Sequence, residues 1–143
     1  MKNFKYLLVI IGALTLSVSS CSLDDDSGHD YHLEYVNVIS AELPETFVHG
    51  NSYQIDITIE LPNSCYYFYN QYDYIKDGTS RLIYPIAHVD DGVPCTLNIS
   101  ETTFSITVDA LQSEPYIFKF YQGEDADGQE MFLTIEVPVI TER

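Results

Sequence analysis

Apolar and polar residues alternate along most of the chain after about Tyr31, and this alternation decides the predicted fold. In the clearest run, residues 53–61, every second residue is apolar and the residues between them are polar. Because successive side chains of a strand point to opposite faces of its sheet, the run predicts a strand with one face in the core and one in water. No segment shows a sustained helical period, so we predict an all-β chain.

Several other runs predict further strands. Two of them alternate in the same way and four are apolar on both faces or rich in aromatic residues: 104–108 and 131–139, then 33–40, 65–75, 81–89 and 116–122. A shorter strand is predicted at residues 94–99. Pro, Gly, Asn and Asp separate the runs, as expected for turns. Seven or eight antiparallel strands in roughly 110 residues predict a single immunoglobulin-like β-sandwich, with a small barrel or jelly roll as the competing topology.

The first residues have the three parts of a secretory signal peptide. Lys2 and Lys5 provide a basic start, residues 6–16 are mostly apolar, and small residues follow up to Cys21. The apolar run of about eleven residues is well short of the roughly 20 that a helix needs to cross a bilayer. We therefore predict a cleaved signal peptide over residues 1–20 rather than a retained transmembrane anchor.

The end of this segment, Val18-Ser19-Ser20-Cys21, resembles a bacterial lipobox, in which an apolar residue and two small ones precede a cysteine that receives a diacylglycerol. The resemblance implies that Cys21 is the lipidated first residue of the mature chain. Ordinary signal cleavage beside an incidental cysteine is the alternative. Two or three acyl chains, at roughly 0.8 kcal/mol per buried methylene, would make the attachment effectively permanent.

An acidic stretch follows Cys21 directly. Residues 24–26 are three consecutive aspartates, and the polar residues around them give this stretch little reason to fold. It resembles the surface-export signal of Bacteroidota lipoproteins, which implies an outer-membrane lipoprotein exposed on the cell surface. A solvated spacer is the alternative. We divide the chain into a signal peptide (1–20), a lipidated flexible tether (21–30) and one β-sandwich domain (31–143).

The last part of the chain resembles the final two strands of an immunoglobulin-like or fibronectin-type-III-like domain. Residues 114–121 and 130–140 provide the two strands, and residues 122–129 form the loop between them. Tyr116 stands where such domains keep a tyrosine corner, whose hydroxyl hydrogen-bonds to the backbone a few residues upstream. The resemblance therefore implies the same sandwich that the alternation predicts.

Charge and composition narrow the classes of partner. The 143 residues include 22 Asp and Glu against six Lys and Arg, and the formal net charge is −16 at pH 7. Two of the lysines precede Cys21 and every carboxylate follows it, which gives the mature chain about −18. Nucleic acid is not an expected partner, because phosphate binding needs a basic face. Membrane association is expected through the lipid anchor alone.

Two further cysteines form a natural pair. If Cys21 carries lipid, Cys65 and Cys95 remain in an oxidising compartment, and we predict a disulfide between them. Closing a loop of about 31 residues would stabilise the domain by roughly 3.5 kcal/mol in the chain-entropy model. Free buried thiols, or a redox or metal-binding pair, are the alternatives. Neither cysteine has Cys-x-x-Cys spacing or an adjacent histidine.

The sequence contains no local signature of catalysis. It has no Gly-x-Ser-x-Gly elbow or comparable nucleophile motif, so we expect a non-enzymatic protein without a cofactor. Asp125, Asp127 and Glu130 lie in an oxygen-rich turn of the kind that can hold calcium, and they are weak candidates for a metal site. A hairpin turn in which Asp127-Gly128 adopts positive φ explains the same residues without a metal.

The most unusual segment is the aromatic run at residues 66–74. Alternation places Tyr67 and Tyr69 on one face of a strand and Tyr66, Phe68, Tyr72 and Tyr74 on the other. Exposed tyrosines beside Asn, Gln and Asp can stack on sugar rings or anchor protein interfaces. We nominate the second group, Tyr66, Phe68, Tyr72 and Tyr74, as ligand contacts. Aromatic pairs that only stabilise the sheet are the alternative.

These features together lead to an expected function. We expect a monomeric, non-enzymatic outer-membrane or cell-surface lipoprotein that acts as a binding or adhesion module for a glycan or a protein. An accessory lipoprotein that packs against an outer-membrane protein is the second hypothesis. Hydrolase activity is the third, and it would need a cleft of His, Asp or Glu that the sequence does not indicate.

Overall fold

Strands account for all the regular structure in residues 30–141, the part of the chain that the computed structural model describes. The strands are β1 (Tyr31–Tyr35), β2 (Val38–Glu42), β3 (Phe47–Val48), β4 (Ser52–Leu61), β5 (Tyr66–Asp77), β6 (Ser80–Asp90), β7 (Ser100–Asp109), β8 (Tyr116–Glu124), β9 (Glu130–Val137) and β10 (Val139–Ile140). The all-β prediction is confirmed. The predicted signal peptide, the lipidation site Cys21 and all but the last residue of the predicted tether lie outside the described residues.

The strands form two main sheets that pack face to face. In the five-stranded sheet, β5 pairs with one edge of β6, while β1 and β8 pair with different parts of its other edge and β9 follows β8. The three-stranded sheet has the order β2-β4-β7, and β3 pairs with β10 in a small third sheet. The strand β6 is therefore the centre of the larger sheet, and β5 and β7 lie at open edges.

The core lies between the two sheets and is formed by the alternating apolar residues. The longest ladder of the smaller sheet joins β4 to β7 over their full lengths, and Ile57 and Phe104 face each other in it with both side chains buried. The larger sheet contributes Phe118 and Phe120, which are fully buried. Phe68 of β5 packs across the sandwich against Phe104, with 4.9 Å between the ring centroids. Alternation in the sequence thus predicts the inward residues of β4 and β7 correctly.

Three details of the predicted sandwich are corrected by the structure. The described residues form ten strands rather than seven or eight, because the run 33–40 divides into β1 and β2 and because β3 and β10 are short additional strands. The predicted strand at 94–99 is a loop. Two pairs, β6 with β8 and β3 with β10, are parallel, so the prediction of antiparallel pairing throughout is wrong.

The division of the run 33–40 has a clear physical reason. The alternation continues unchanged, since Tyr35 is exposed and Val36 and Val38 are both buried. The chain nevertheless passes from one sheet to the other at residues 36–37, and its backbone hydrogen bonds change partner there. Val36 donates its backbone N–H to Pro85 of β6, and the carbonyl of Asn37 accepts from Glu60 of β4. Residues that are apolar on both faces cannot reveal such a change in the sequence.

Two predicted tertiary features are confirmed. The disulfide joins Cys65 to Cys95, with 5.4 Å between the Cα atoms, and attaches the loop before β7 to the start of β5. Tyr116 forms a tyrosine corner: its hydroxyl donates to the Asp109 carbonyl at 3.1 Å and accepts from the backbone N–H groups of Leu111 and Gln112 at 3.0 and 3.3 Å. The corner fixes the connection between β7 and β8.

Candidate functional site

The outer face of the five-stranded sheet, which points away from the core, is rich in aromatic side chains. Alternation and strand register place the following residues on this face: Tyr31, Leu33 and Tyr35 of β1, Tyr67 and Tyr69 of β5, Tyr84, Ile86 and His88 of β6, Tyr121 of β8 and Phe132 of β9. Such a face is normally polar in a sandwich, because it meets water. This face is therefore the first place to look for a binding site.

A β-bulge in β5 shapes one end of this face. Phe68 and Gln71 pair with consecutive residues of β6, so Tyr69 and Asn70 between them are two extra residues in β5. Asn70 has a φ of +57°, a left-handed conformation that Asn tolerates better than most residues. Bulges of this kind redirect side chains and are common beside functional sites.

The number of extra residues decides which side chains remain outside. Two inserted residues leave the alternation unchanged, whereas a shift of one residue exchanges the faces of a strand. Tyr67 and Tyr69 therefore both project outward, with exposed fractions of 45% and 66%. Tyr72, beyond the bulge, still faces the core.

The exposed tyrosines of two strands surround a hollow of about 400 Å³ over the end of β6. Tyr31, Tyr67, Tyr69, His88 and Asp90 line it, and we call it the aromatic hollow. The Tyr31 ring stacks on the imidazole of His88 at 5.1 Å between centroids, and the Tyr69 ring meets the same imidazole edge-on at 5.0 Å. The tyrosines thus form walls, and His88 lies between them.

The hollow also contains groups that can form directed hydrogen bonds. The Nε2 atom of His88 lies 3.1 Å from Oε1 of Gln71, and no residue between 30 and 141 hydrogen-bonds to Nδ1. Asp90 accepts the backbone N–H of Gly92 at 2.9 Å through one carboxylate oxygen. A ligand in the hollow would therefore meet aromatic rings together with a carboxylate and an imidazole nitrogen.

A clamp of polar side chains fixes β1, the strand that carries Tyr31. Nδ1 of His32 lies 2.8 Å from a carboxylate oxygen of Asp91, and Nε2 lies 3.3 Å from a carboxylate oxygen of Glu34. Asp91, followed by Glu34, raises the pKa of His32 above 6.5 because the two carboxylates favour the imidazolium. The clamp joins the start of β1 to the residue after β6, at the same end of the sheet as the hollow but on its opposite face.

A second hollow, of about 390 Å³, continues the same outer face. Leu33, Tyr35, Asp73 and Ile86 are among the residues that line it. The hydroxyl of Tyr35 donates to the Asp73 carboxylate at 2.8 Å, and this bond is the main reason that the pKa of Tyr35 is raised. Together the two hollows form an elongated surface across β1, β6 and β5.

The ring of Tyr84 supports this surface from below. It packs 5.0 Å from the Tyr35 ring and 5.3 Å from the Tyr121 ring, and its hydroxyl donates to Glu130 at 3.0 Å. Burial, followed by the bond to Glu130, raises the pKa of Tyr84 to about 12. The middle of the outer face is therefore a packed aromatic layer, and its exposed rings stand at the end near β1 and the bulge.

The four predicted ligand contacts lie on the opposite face of β5. Tyr66, Phe68, Tyr72 and Tyr74 are half-buried and pack against the core. The hydroxyl of Tyr66 donates to the Glu34 carboxylate at 2.8 Å, and burial together with this bond raises the pKa of Tyr66 to about 12. The predicted strand is present, and its exposed aromatic residues are the other set, Tyr67 and Tyr69.

Two residues of the aromatic hollow were not nominated from the sequence as ligand contacts. Tyr31 and His88 meet only because β1 pairs with the end of β6, a pairing between distant segments that no local pattern reveals. The signal that was available is the alternation within residues 81–89, which sets His88 on the same face as Tyr84 and Ile86. The sequence does not show that β1 pairs with β6, so it cannot show whether that face of β6 points to the core or to water.

Another cavity, of about 540 Å³, opens between the edge strands β5 and β7, where Tyr72 and Tyr74 contribute to its wall. Arg81 is buried beside it, and its guanidinium donates to the carbonyls of Gly78 and Ser80 and to Oε1 of Gln112. The guanidinium also lies 4.9 Å from the centre of the Tyr116 ring. These contacts give Arg81 a structural role, closing one end of the core around the tyrosine corner.

The candidate calcium ligands do not converge. The Oδ1 atom of Asp125 accepts the backbone N–H groups of Asp127 and Gln129 at 2.8 and 2.9 Å, and Gly128 has a φ of +75°, as a hairpin turn requires. Glu130 points instead to the hydroxyl of Tyr84. Within the described residues, no group of three or more His, Cys, Asp or Glu side chains is arranged to hold a metal ion.

None of the described residues belongs to a helix that is long and apolar enough to cross a membrane. Comparisons of the chain with protein-family models, with curated proteins and with solved structures found no match.

Proposed function

We propose that this protein is a lipid-anchored binding module of the cell envelope that contacts a glycan or a protein through the outer aromatic face of its five-stranded sheet. The observation that carries the proposal is the aromatic hollow, where Tyr31, Tyr67 and Tyr69 are 60%, 45% and 66% exposed around His88 and Asp90. Large exposed aromatic rings are unfavourable in water, and they are typical of surfaces that bind a partner.

The bulge supports a binding role rather than a purely structural one. A regular β5 would pair with β6 without the left-handed residue Asn70 and without the protruding Tyr69. A local deviation of this type costs stability and is retained where it positions a functional side chain. Cross-strand pairing alone would explain Tyr67, but it does not explain the two extra residues.

The anchoring part of the proposal rests on the sequence. The lipobox-like Val18-Ser19-Ser20-Cys21 and the acidic residues after it support lipidation of Cys21 and export to the cell surface. The disulfide between Cys65 and Cys95 is consistent with a compartment outside the cytoplasm. The domain acts as a monomer in this proposal, and it is non-enzymatic.

Protease treatment of intact cells that produce the full chain tests the anchoring. We expect the domain to be removed from the cell surface by protease, and the Cys21→Ala variant to be released or mislocalised. Ser20→Ala is the matched control, because it keeps a small residue before the cysteine. Protection of the wild-type domain would contradict surface export and favour the second hypothesis, an accessory lipoprotein that faces an envelope partner.

Binding of the full chain to a panel of glycans and extracellular matrix proteins tests the contact surface. We expect at least one member to be bound, and we expect the Tyr67→Ala/Tyr69→Ala double variant to lose it. Ile75→Ala is the control, since Ile75 is 48% exposed on the same strand but lies away from the hollow. Equal binding by the double variant and the wild type would overturn the proposed surface.

A further inference from the structure

We infer that the ligand of the aromatic hollow is a neutral hexopyranose unit of a glycan. This inference rests on the proposed function, because it assigns a chemical class to the ligand that the outer face binds. Four observations carry it: the placement of the exposed rings, the polar atoms between them, the charge of the surroundings and the size of the hollow.

The exposed rings are placed for stacking on a sugar. Tyr67 and Tyr69 come from one side of β6 and Tyr31 comes from the other, and the His88 ring lies between Tyr31 and Tyr69. A ligand that lies over His88 would therefore meet aromatic rings on both sides. One face of a hexopyranose carries several C–H groups with partial positive charge, which are attracted to the negative face of an aromatic ring. Tyrosine provides this contact area with little loss of side-chain entropy.

The floor of the hollow offers hydrogen-bond partners that suit hydroxyl groups. Asp90 lines the hollow, and a carboxylate is an acceptor that suits hydroxyl groups. Nδ1 of His88 is a further partner, and it acts as an acceptor when Nε2 donates to Gln71. The apolar face of the sugar can contact the aromatic rings, and its hydroxyl groups can bind the polar atoms at the floor.

The local charge selects neutral sugars. Lys and Arg are absent from the side chains that line the hollow, whereas Asp90 is present among them. The net charge of the whole chain, −16, adds to this negative field. Uronic acids, sialic acids and sulfated sugars would be repelled by this field.

The size of the hollow is appropriate for a short part of a glycan. A volume of about 400 Å³ is near the lower end of the roughly 300–1,000 Å³ that small-molecule sites occupy. The adjoining hollow at Leu33 and Tyr35, about 390 Å³, lies along the same face and can accept the next sugar units. The surface therefore suits an internal or terminal segment of an oligosaccharide better than a single free monosaccharide.

The test uses the full chain in a detergent that contains no sugar. A glycan array with neutral gluco-, galacto- and manno-configured oligosaccharides beside uronate, sialylated and sulfated ones identifies a bound class, and isothermal titration calorimetry measures its affinity. We expect binding to at least one neutral oligosaccharide and none to acidic ones. Tyr67→Ala and Tyr69→Ala should each weaken it about tenfold, the usual loss for one stacking ring, and Ile75→Ala should leave it unchanged.

Further variants separate stacking from hydrogen bonding. Tyr69→Phe keeps the ring and should retain most of the affinity, whereas Asp90→Asn keeps the shape and should weaken binding by removing a charged acceptor. The intrinsic fluorescence of the chain comes from tyrosine because the sequence has no Trp. Quenching by the bound oligosaccharide should therefore be smaller in the Tyr67→Ala and Tyr69→Ala variants.

The outcomes distinguish this inference from the proposed function. If no neutral oligosaccharide binds, or if acidic glycans bind as well, the assignment to neutral sugars is wrong. If a protein ligand binds and depends on Tyr67 and Tyr69, the binding surface stands and the sugar assignment is again wrong. If every ligand binds the Tyr67→Ala/Tyr69→Ala variant as it binds the wild type, both proposals are wrong.

Discussion

At the scale of single residues, one hydroxyl group holds together the connection between β7 and β8. The hydroxyl of Tyr116 satisfies a carbonyl and two backbone N–H groups while its ring lies in the core. The ring alone could be supplied by phenylalanine, so the hydroxyl can be tested separately from the packing.

Tyr116→Phe should lower the free energy of unfolding by about 1–3 kcal/mol, because it leaves part-buried backbone groups without a partner. Urea denaturation followed by circular dichroism measures this change. Tyr121→Phe is the matched control, since Tyr121 is also buried but its hydroxyl forms no hydrogen bond to any residue between 30 and 141. This control variant should change the free energy of unfolding by less than about 0.5 kcal/mol. Equal effects of the two variants would contradict a tyrosine corner.

The clamp at His32 makes a prediction about pH. Asp91 and Glu34 raise the pKa of His32 above 6.5 in the folded protein, so the folded state binds more protons than the unfolded state just above that pH. The stabilisation is thus complete below pH 6.5 and is lost as the pH rises through the raised value. An NMR titration of the His32 ring should give a pKa above 6.5, and Asp91→Asn should lower it. An unchanged pKa in this variant would show that Asp91 is not the main cause.

At the scale of an element, β5 combines two tasks through its bulge. Its inward residues, among them Phe68 and Tyr72, fill the core, and its outward residues line the aromatic hollow. The two extra residues keep the inward set in place and add a ring to the outer face. A change to the outward residues of β5 should therefore affect ligand binding without removing the residues that fill the core.

Deletion of Tyr69 and Asn70 together should preserve the fold and remove ligand binding. The deletion gives β5 a regular ladder with β6, and Tyr72 keeps its inward direction because two residues rather than one are removed. We expect the free energy of unfolding to change by less than about 2 kcal/mol in urea denaturation. Circular dichroism should remain that of an all-β protein. Loss of the fold would show that the bulge is required by the core rather than by the ligand.

The same element shows what the sequence can and cannot predict. Alternation predicted the inward residues of β4 and β7, predicted those of β9 apart from the exposed Met131, and divided the tyrosines of β5 correctly into two sets. It could not decide which set faces water, because both faces of β5 are aromatic, and the nominated Tyr66 and Tyr74 proved to be the inner set. The parallel neighbour of β6 and the meeting of Tyr31 with His88 depend on pairing between distant segments, which local patterns do not encode.

At the scale of the whole molecule, one covalent bond supports a small domain whose charges repel each other. The disulfide closes a separation of 30 residues, and Cys65 is fully buried. The loop that it holds has further bonds to the start of β5: Ser64 donates its backbone N–H to the Thr96 carbonyl at 3.1 Å, and the Ser64 hydroxyl accepts from the N–H of Thr96 at 2.9 Å.

Reduction of this disulfide should lower the free energy of unfolding by roughly 3.5 kcal/mol, the chain-entropy value for a loop of this length. Urea denaturation with and without dithiothreitol measures the change. The Cys65→Ala/Cys95→Ala variant serves as the control, because it should be insensitive to the reductant. A wild-type protein that unfolds at the same urea concentration in both conditions would contradict a stabilising role for the bond.

Asp30 and Tyr31 link the proposed anchor to the proposed site. Asp30 accepts the backbone N–H of Asp91 at 2.8 Å, and the next residue, Tyr31, lines the aromatic hollow. The chain from Cys21 to Asp30 can span at most about 30 Å, since extended residues advance roughly 3.3–3.6 Å each. If Cys21 is lipidated, the hollow therefore operates close to the membrane surface.

A longer tether should then increase access to large ligands without changing the site. Insertion of a flexible Gly/Ser segment of about 20 residues between Ser27 and Gly28 should increase the binding of intact cells to an immobilised polysaccharide, because the hollow can reach farther from the membrane. Affinity for a soluble oligosaccharide, measured on the purified protein, should be unchanged because the insertion leaves the hollow intact. A scrambled insertion of the same composition is the control for sequence effects. Equal cell binding with short and long tethers would show that closeness to the membrane does not limit the access of large ligands to the hollow.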